Sequence, residues 1–188
     1  MTWRTSLAAR DGRVASAQTR RNPTDPQSFG VSFIANGSNG TSMIAVVRRT
    51  VEDACLRLGG DPELASGLGV AAHELMENAI KYSEDGRVNV DLALTRKGRL
   101  LETAVRTSNT AGPARLRQLE IVGSGIAAAE DRMTYYRDRM VAVASQAEGS
   151  GLGLARILGE TNLQLSIAID GRLARVEASQ TMEPGGAS

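Results

Sequence analysis

Two short turn signals limit the folds open to this chain. Lys97-Gly98 separates an alternating run (Val88, Val90, Leu92, Leu94) from a second apolar run, Leu101 to Val105. Asp170-Gly171 separates Leu163, Leu165, Ile167 and Ile169 from Ala174, Val176 and Ala178. Alternation of this kind marks half-buried strands, and a glycine-containing turn joins them as antiparallel hairpins. Strands that arrive as hairpins cannot build an all-parallel sheet. The remaining patterned stretches have helical periods. The order is strand, two helices, hairpin, helices, helix, hairpin. It predicts an α+β layer fold with helices on one face of a mixed, mostly antiparallel sheet.

The first strand is expected at Phe29 to Ile34, closed by Asn36-Gly37 and Asn39-Gly40. Thr41 or Ser42 is a candidate cap for the first helix, whose stripe is Ile44, Val47, Val51, Ala54 and Leu58 before Gly59-Gly60. Cys55 sits beside that stripe and reads as a small core residue. Asp61-Pro62-Glu63 is a helix start: cap, proline in the first turn, acid in the first turn. The second helix runs to about Tyr82 and buries Leu68, Ala72, Leu75, Ala79 and Tyr82. Thr107 to Pro113 reads as a polar loop at a strand end. A short helix with Leu116 and Leu119 and a longer one with Ile126, Met133, Tyr136 and Met140 follow. Residues 1–28 carry five arginines and no apolar period, which predicts a loose arm. Residues 29–180 then form one domain, and residues 181–188 a loose tail.

Composition narrows the functional classes. The formal net charge of +1 gives no case for nucleic acid or an anionic membrane surface. One cysteine and one histidine rule out an intrachain disulfide and a Cys/His metal cluster. No apolar run suits a signal peptide or a bilayer span, so the chain reads as cytoplasmic with no membrane partner.

Two motifs carry chemistry. On the second helix Glu74, Asn78 and Lys81 recur at spacings of four and three, which puts an acid, an amide and an amine on one face. An amide oxygen suits Mg²⁺, an ammonium suits phosphate, and a carboxylate one turn back suits proton abstraction from a hydroxyl or water. The second motif is Gly149, Gly151 and Gly153 alternating with Ser150, Leu152 and Leu154 just before a helix. Glycines let a backbone approach an anion, and a helix start offers unpaired N–H groups to it.

Together these motifs resemble the N-box and the G2 box of the GHKL (histidine kinase-like) ATPase superfamily, and the element order is similar to its Bergerat-type two-layer α/β sandwich. The resemblance covers roughly residues 29–180. It implies ATP and Mg²⁺ as ligands, Glu74 as general base, and Asn78 as the metal ligand. It also implies phosphate or nucleotide contacts from Lys81, Gly149, Gly151, Leu152, Gly153 and Leu154. The family's G1 box normally supplies an aspartate to the adenine amino group. The matching segment here, Arg106 to Gly112, has no acid, and Ser108 or Asn109 stands as a neutral acceptor.

The short layout most resembles anti-sigma-factor serine kinases, which implies a protein serine/threonine kinase of partner-switching signalling. Its partner would be a small STAS-type antagonist or a sigma factor-like regulator. Whether the chain also forms a homodimer is left open by the sequence. A second reading follows from the altered G1 segment: a catalytically silent regulator that binds a protein partner without nucleotide. A third starts from Gly123, Gly125 and Ala128, which fit a G-x-G-x-x-A dinucleotide fingerprint if a strand precedes and a helix follows. Residues 114–148, rich in Arg and Met, take the place of the family's ATP lid.

Overall fold

The computed structural model describes residues 27–36, 40–144 and 152–183. In chain order these form β1 (Gln27–Asn36), α1 (Gly40–Arg57), α2 (Pro62–Tyr82), β2 (Arg87–Lys97) and β3 (Leu100–Thr110). They continue as α3 (Pro113–Ala128), α4 (Arg132–Ala144), α5 (Leu152–Glu160), β4 (Gln164–Asp170) and β5 (Leu173–Met182). The strands make one open sheet in the order β1-β2-β3-β5-β4. Both expected hairpins form, with Gly98 and Gly171 in the left-handed region at φ 61° and 57°. Every pairing among the described strands is antiparallel, so the expected mixture of strand directions resolves to a fully antiparallel sheet.

One sheet face is buried. Val88, Val90, Leu92 and Leu94 of β2 and Leu101, Thr103, Val105 and Thr107 of β3 point into the core, while their neighbours are exposed or half-buried. The outer face is polar. Ser32 donates to Asp91 at 2.5 Å, Lys97 pairs with Glu102, and Arg106 with Glu177. Helices cover the inner face. Ile44, Val47, Val51 and Ala54 of α1 are buried as their spacing predicts, with Cys55 beside them. Leu58 follows α1, half-buried against the core. Gly59 takes φ 84° at the helix end, and Arg96 Nη1 donates to the Leu58 carbonyl at 2.8 Å. Asp61 caps α2 by accepting from the Leu64 N–H at 2.7 Å, a contact worth roughly 1 kcal/mol.

The structure differs from the sequence reading at several points. β3 continues to Thr110, so Thr107, Ser108 and Asn109 are strand residues rather than loop. Thr41 and Ser42 lie inside α1, which starts at Gly40. The break between the two helices of the lid region falls at residues 129–131, so Ile126 belongs to α3. Asp131 sets that break, since its Oδ2 accepts from the Thr134 N–H at 2.7 Å as a helix cap does. The expected arm overlaps β1 at Gln27 and Ser28, and the expected tail overlaps β5 at Thr181 and Met182, which pair with Glu102 and Leu101; residues 1–26 and 184–188 lie outside the described residues. No helix among the described residues is long and apolar enough to cross a membrane.

Candidate functional site

A cleft of about 80 Å³ opens between α2 and α3 above the end of β3. Helical and strand periods explain its walls. Leu75, Asn78, Ala79 and Tyr82 follow one another at spacings of three, one and three, so they form a single stripe of α2. Thr107, Asn109 and Ala111 alternate along and just beyond β3. Val176 and Ala174 of β5 stand directly opposite Thr107 and Asn109 in the register and complete the floor. Leu116, Leu119 and Val122 of α3 form the far wall with Arg115 and Gln118, and Leu154 of α5 closes one end.

The cleft therefore brings together three separate segments: Asn78 from the N-box-like helix, Asn109 from the G1-like segment and Leu154 from the G2-like helix. Its lining is mostly apolar, with few polar groups, as suits a planar organic ligand. Asn109 is 9% exposed, and its Nδ2 donates to the Thr110 carbonyl at 3.1 Å. That bond engages one of the two amide N–H groups and leaves Oδ1 as the acceptor of the side chain. Tyr82 lines the cleft, and its hydroxyl is buried without a hydrogen-bond partner. The Arg115 guanidinium lies 4.5 Å from the Tyr82 ring centroid and the Lys81 ammonium 5.3 Å from it.

Glu74 and Gly153 meet at the α5 end. A Cβ placed on Gly153 would lie 2.6 Å from Glu74 Oε2 and 2.9 Å from Asn78 Nδ2. Only a glycine lets the start of α5 come this close to the Glu74–Asn78 face of α2. The other carboxylate oxygen, Glu74 Oε1, accepts from Arg156 Nη1 at 3.0 Å, and Arg156 Nε reaches Glu160 Oε2 at 2.8 Å. The side chain of Glu74 is only 12% exposed.

The other expected site residues are placed elsewhere. Ser108 points to the opposite face of β3 from Asn109, because neighbouring strand residues alternate. Lys81 is exposed and stands outside the cleft walls. Leu152 is the half-buried first residue of α5. Gly149 and Gly151 lie outside the described residues. Glu77, on the same helix, is exposed and 3.5 Å from His73. Residues 119–128 are helical throughout, so no strand precedes Gly123 and the dinucleotide reading loses its required context. Those glycines instead serve close packing: added Cβ atoms would lie 3.3 Å from Ile167 and 3.2 Å from Tyr135. Sequence reasoning missed Thr107, Tyr82 as a cleft residue, Arg115 and Arg156. The period-two link from Asn109 back to Thr107 was a signal for the first, whereas Arg156 and Glu74 are 82 residues apart and left none.

The donor set fits Mg-ATP. An orphaned hydroxyl at Tyr82, an acceptor oxygen at Asn109, a hard amide oxygen at Asn78 and Leu154 of α5 all border one cleft. No protein-family model and no curated protein sequence matches this chain. Among solved structures, it is similar to a chain of the SiaB-SiaC complex from Pseudomonas aeruginosa, with a TM-score of 0.58. The two are 18% identical over 80% of this chain and 88% of that one, a likeness of fold.

Proposed function

We propose that the cleft binds Mg-ATP and that the chain is a protein serine/threonine kinase of a partner-switching system. The observation that carries this reading is the convergence of Asn78, Asn109 and the start of α5 on one cleft from three distant segments. Asn109 Oδ1 accepts from the adenine amino group in place of the family's aspartate. Leu75, Ala79, Leu116 and Leu119 hold the base in an apolar slot. Asn78 holds the metal, and the first N–H groups of α5, with the glycines before it, hold phosphate oxygens. Mg-ATP, when bound, supplies the γ-phosphoryl group: an acceptor hydroxyl oxygen bonds to phosphorus, the bond to the β,γ-bridging oxygen breaks, and ADP leaves with that electron pair. Glu74 takes the hydroxyl proton.

The structurally similar chain was solved in complex with another protein, and this favours a protein acceptor, taken here as a small STAS-type antagonist. A second reading, a regulator of the same fold that ignores nucleotide, is favoured by the neutral Asn109 and by the ion pair that engages Glu74. Calorimetric titration with Mg-ATP, beside Asn78→Ala, separates the two. Binding that weakens at least about tenfold in the variant supports the kinase reading. No heat from either protein would overturn it in favour of the silent regulator.

A further inference from the structure

We infer that Arg156 is the positioning residue that holds Glu74 for proton abstraction, an inference that rests on the nucleotide reading above. Glu74 has two carboxylate oxygens with different surroundings. Oε1 is held by Arg156 Nη1 at 3.0 Å. Oε2 faces the start of α5, where a Cβ on Gly153 would lie 2.6 Å from it. The arginine therefore fixes one oxygen and leaves the other directed at the helix start, where the reacting phosphate is expected.

The guanidinium is itself held. Its Nε donates to Glu160 Oε2 at 2.8 Å, and Glu160 Oε1 accepts from the Tyr136 hydroxyl at 3.1 Å. Three helices, α2, α4 and α5, thus set the orientation of one carboxylate. A planar fork that meets two carboxylates through two different nitrogens fixes direction as well as charge, which a lysine ammonium cannot do. The pair also answers a burial problem. Glu74 is 12% exposed, and enclosing a carboxylate to that extent is costly without a hydrogen-bonding cation beside it. Neither Arg156 nor Glu74 lines the cleft itself; the pair stands beside it at the α5 end, where Arg156 contacts carboxylates of Glu74 and Glu160.

In the reaction the acceptor oxygen, of water in the simplest assay, loses its proton to Glu74 Oε2 as it bonds to the γ-phosphorus and ADP departs. Misplacing a reacting group by about 1 Å can cost roughly a hundredfold in rate. The test uses the full chain, with Arg156→Ala, Arg156→Lys and Glu74→Gln. Affinity for Mg-ATP is read by calorimetry, phosphate release is read at saturating Mg-ATP, and urea unfolding is read without ligand. The expected result for Arg156→Ala is an affinity within about threefold of wild type and phosphate release at least about tenfold slower. Arg156→Lys should fall between the two. The unfolding constants of Arg156→Ala, Glu74→Gln and the double variant should be non-additive by about two- to fivefold, which shows the pair in the free protein.

Wild-type phosphate release in Arg156→Ala overturns the inference alone. So does an affinity loss above about tenfold with intact turnover at saturation, which would mark a phosphate-binding arginine. A wild-type chain that binds Mg-ATP but transfers its phosphoryl group neither to water nor to a serine- or threonine-bearing protein removes the base and its positioning residue together. A wild-type chain that binds no Mg-ATP overturns the nucleotide reading first.

Discussion

Replacing Gly153 with alanine separates the work of the α5 contact in function from its work in stability. The new Cβ would sit 2.6 Å from Glu74 Oε2, 2.9 Å from Asn78 Nδ2 and 3.5 Å from Glu74 Cβ. Ordinary contact begins near 3.4 Å, so the carboxylate must retreat by about 0.8 Å and the amide by about 0.5 Å. Both obstructing atoms are tips of side chains, and the backbones of α2 and α5 can keep their places. Moving two tips off their preferred rotamers costs about 0.5–1.5 kcal/mol each. Against this, alanine is favoured over glycine inside a helix by up to about 1 kcal/mol, and by less in a first turn. The net change in stability should stay within about 3 kcal/mol, a shift of no more than about 10 °C in Tm for a chain of this length. On the proposed Mg-ATP reading, function should change far more: Glu74 would lose its alignment and Asn78 its place as the proposed metal ligand, so phosphate release should fall by roughly a hundredfold and Mg-ATP affinity by about tenfold. Thermal unfolding and calorimetric titration of the same preparation read both effects. Wild-type affinity and turnover in Gly153→Ala would refute the geometry argued here. A collapse of Tm by tens of degrees would show instead that the contact supports the fold.

The remaining expectations concern single residues. Asn109→Leu should weaken Mg-ATP binding about tenfold by removing the buried acceptor, while Ser108→Ala on the opposite face should leave it unchanged; titration of both variants checks this. Asp61→Ala removes the α2 cap and should cost about 1 kcal/mol, measurable as a lower midpoint in urea. Burial first, and then the charge of Asp61, push the Cys55 thiol up to about 11 from its ordinary 9.0. A folded-state pKa above the unfolded one makes the protonated thiol a source of stability below pH 9. That stability is lost as pH rises through about 11. Alkylation of Cys55 in the native protein should accordingly stay slow at pH 8 and speed up on unfolding. Arg96→Met removes the donor on the Leu58 carbonyl and should lower stability by about 1 kcal/mol in the same unfolding assay.

The period of apolar residues made most of the fold legible. The stripes of α1 and α2, the Asp61 cap, the alternation of β2 and both glycine turns are local features, each set by residues a few positions apart. The polar stretch from Thr107 to Thr110 misled that reading. Its residues favour loops when exposed, but pairing with Leu173 to Val176 of β5 holds them in the sheet and turns Thr107 and Asn109 inward. The helix break at Asp131 escaped that reading, because it lies in a stretch with weak apolar periodicity, where α4 buries no side chain among its described residues up to Val141 and Ala142.

The α+β class, the hairpins and the shared facing of Glu74 and Asn78 on one helix follow from residue order alone, because they depend on periods of two and 3.6 residues. Which of the candidates meet was settled by packing. It drew Asn109 into the cleft and turned Ser108 away, set Gly153 against Glu74, and brought Arg156 to the carboxylate from 82 residues along the chain. The physical reason is that a local period fixes which side of an element a residue occupies. What stands opposite that side depends on how α2, α5 and β3 pack, and this is settled by contacts between residues far apart in sequence.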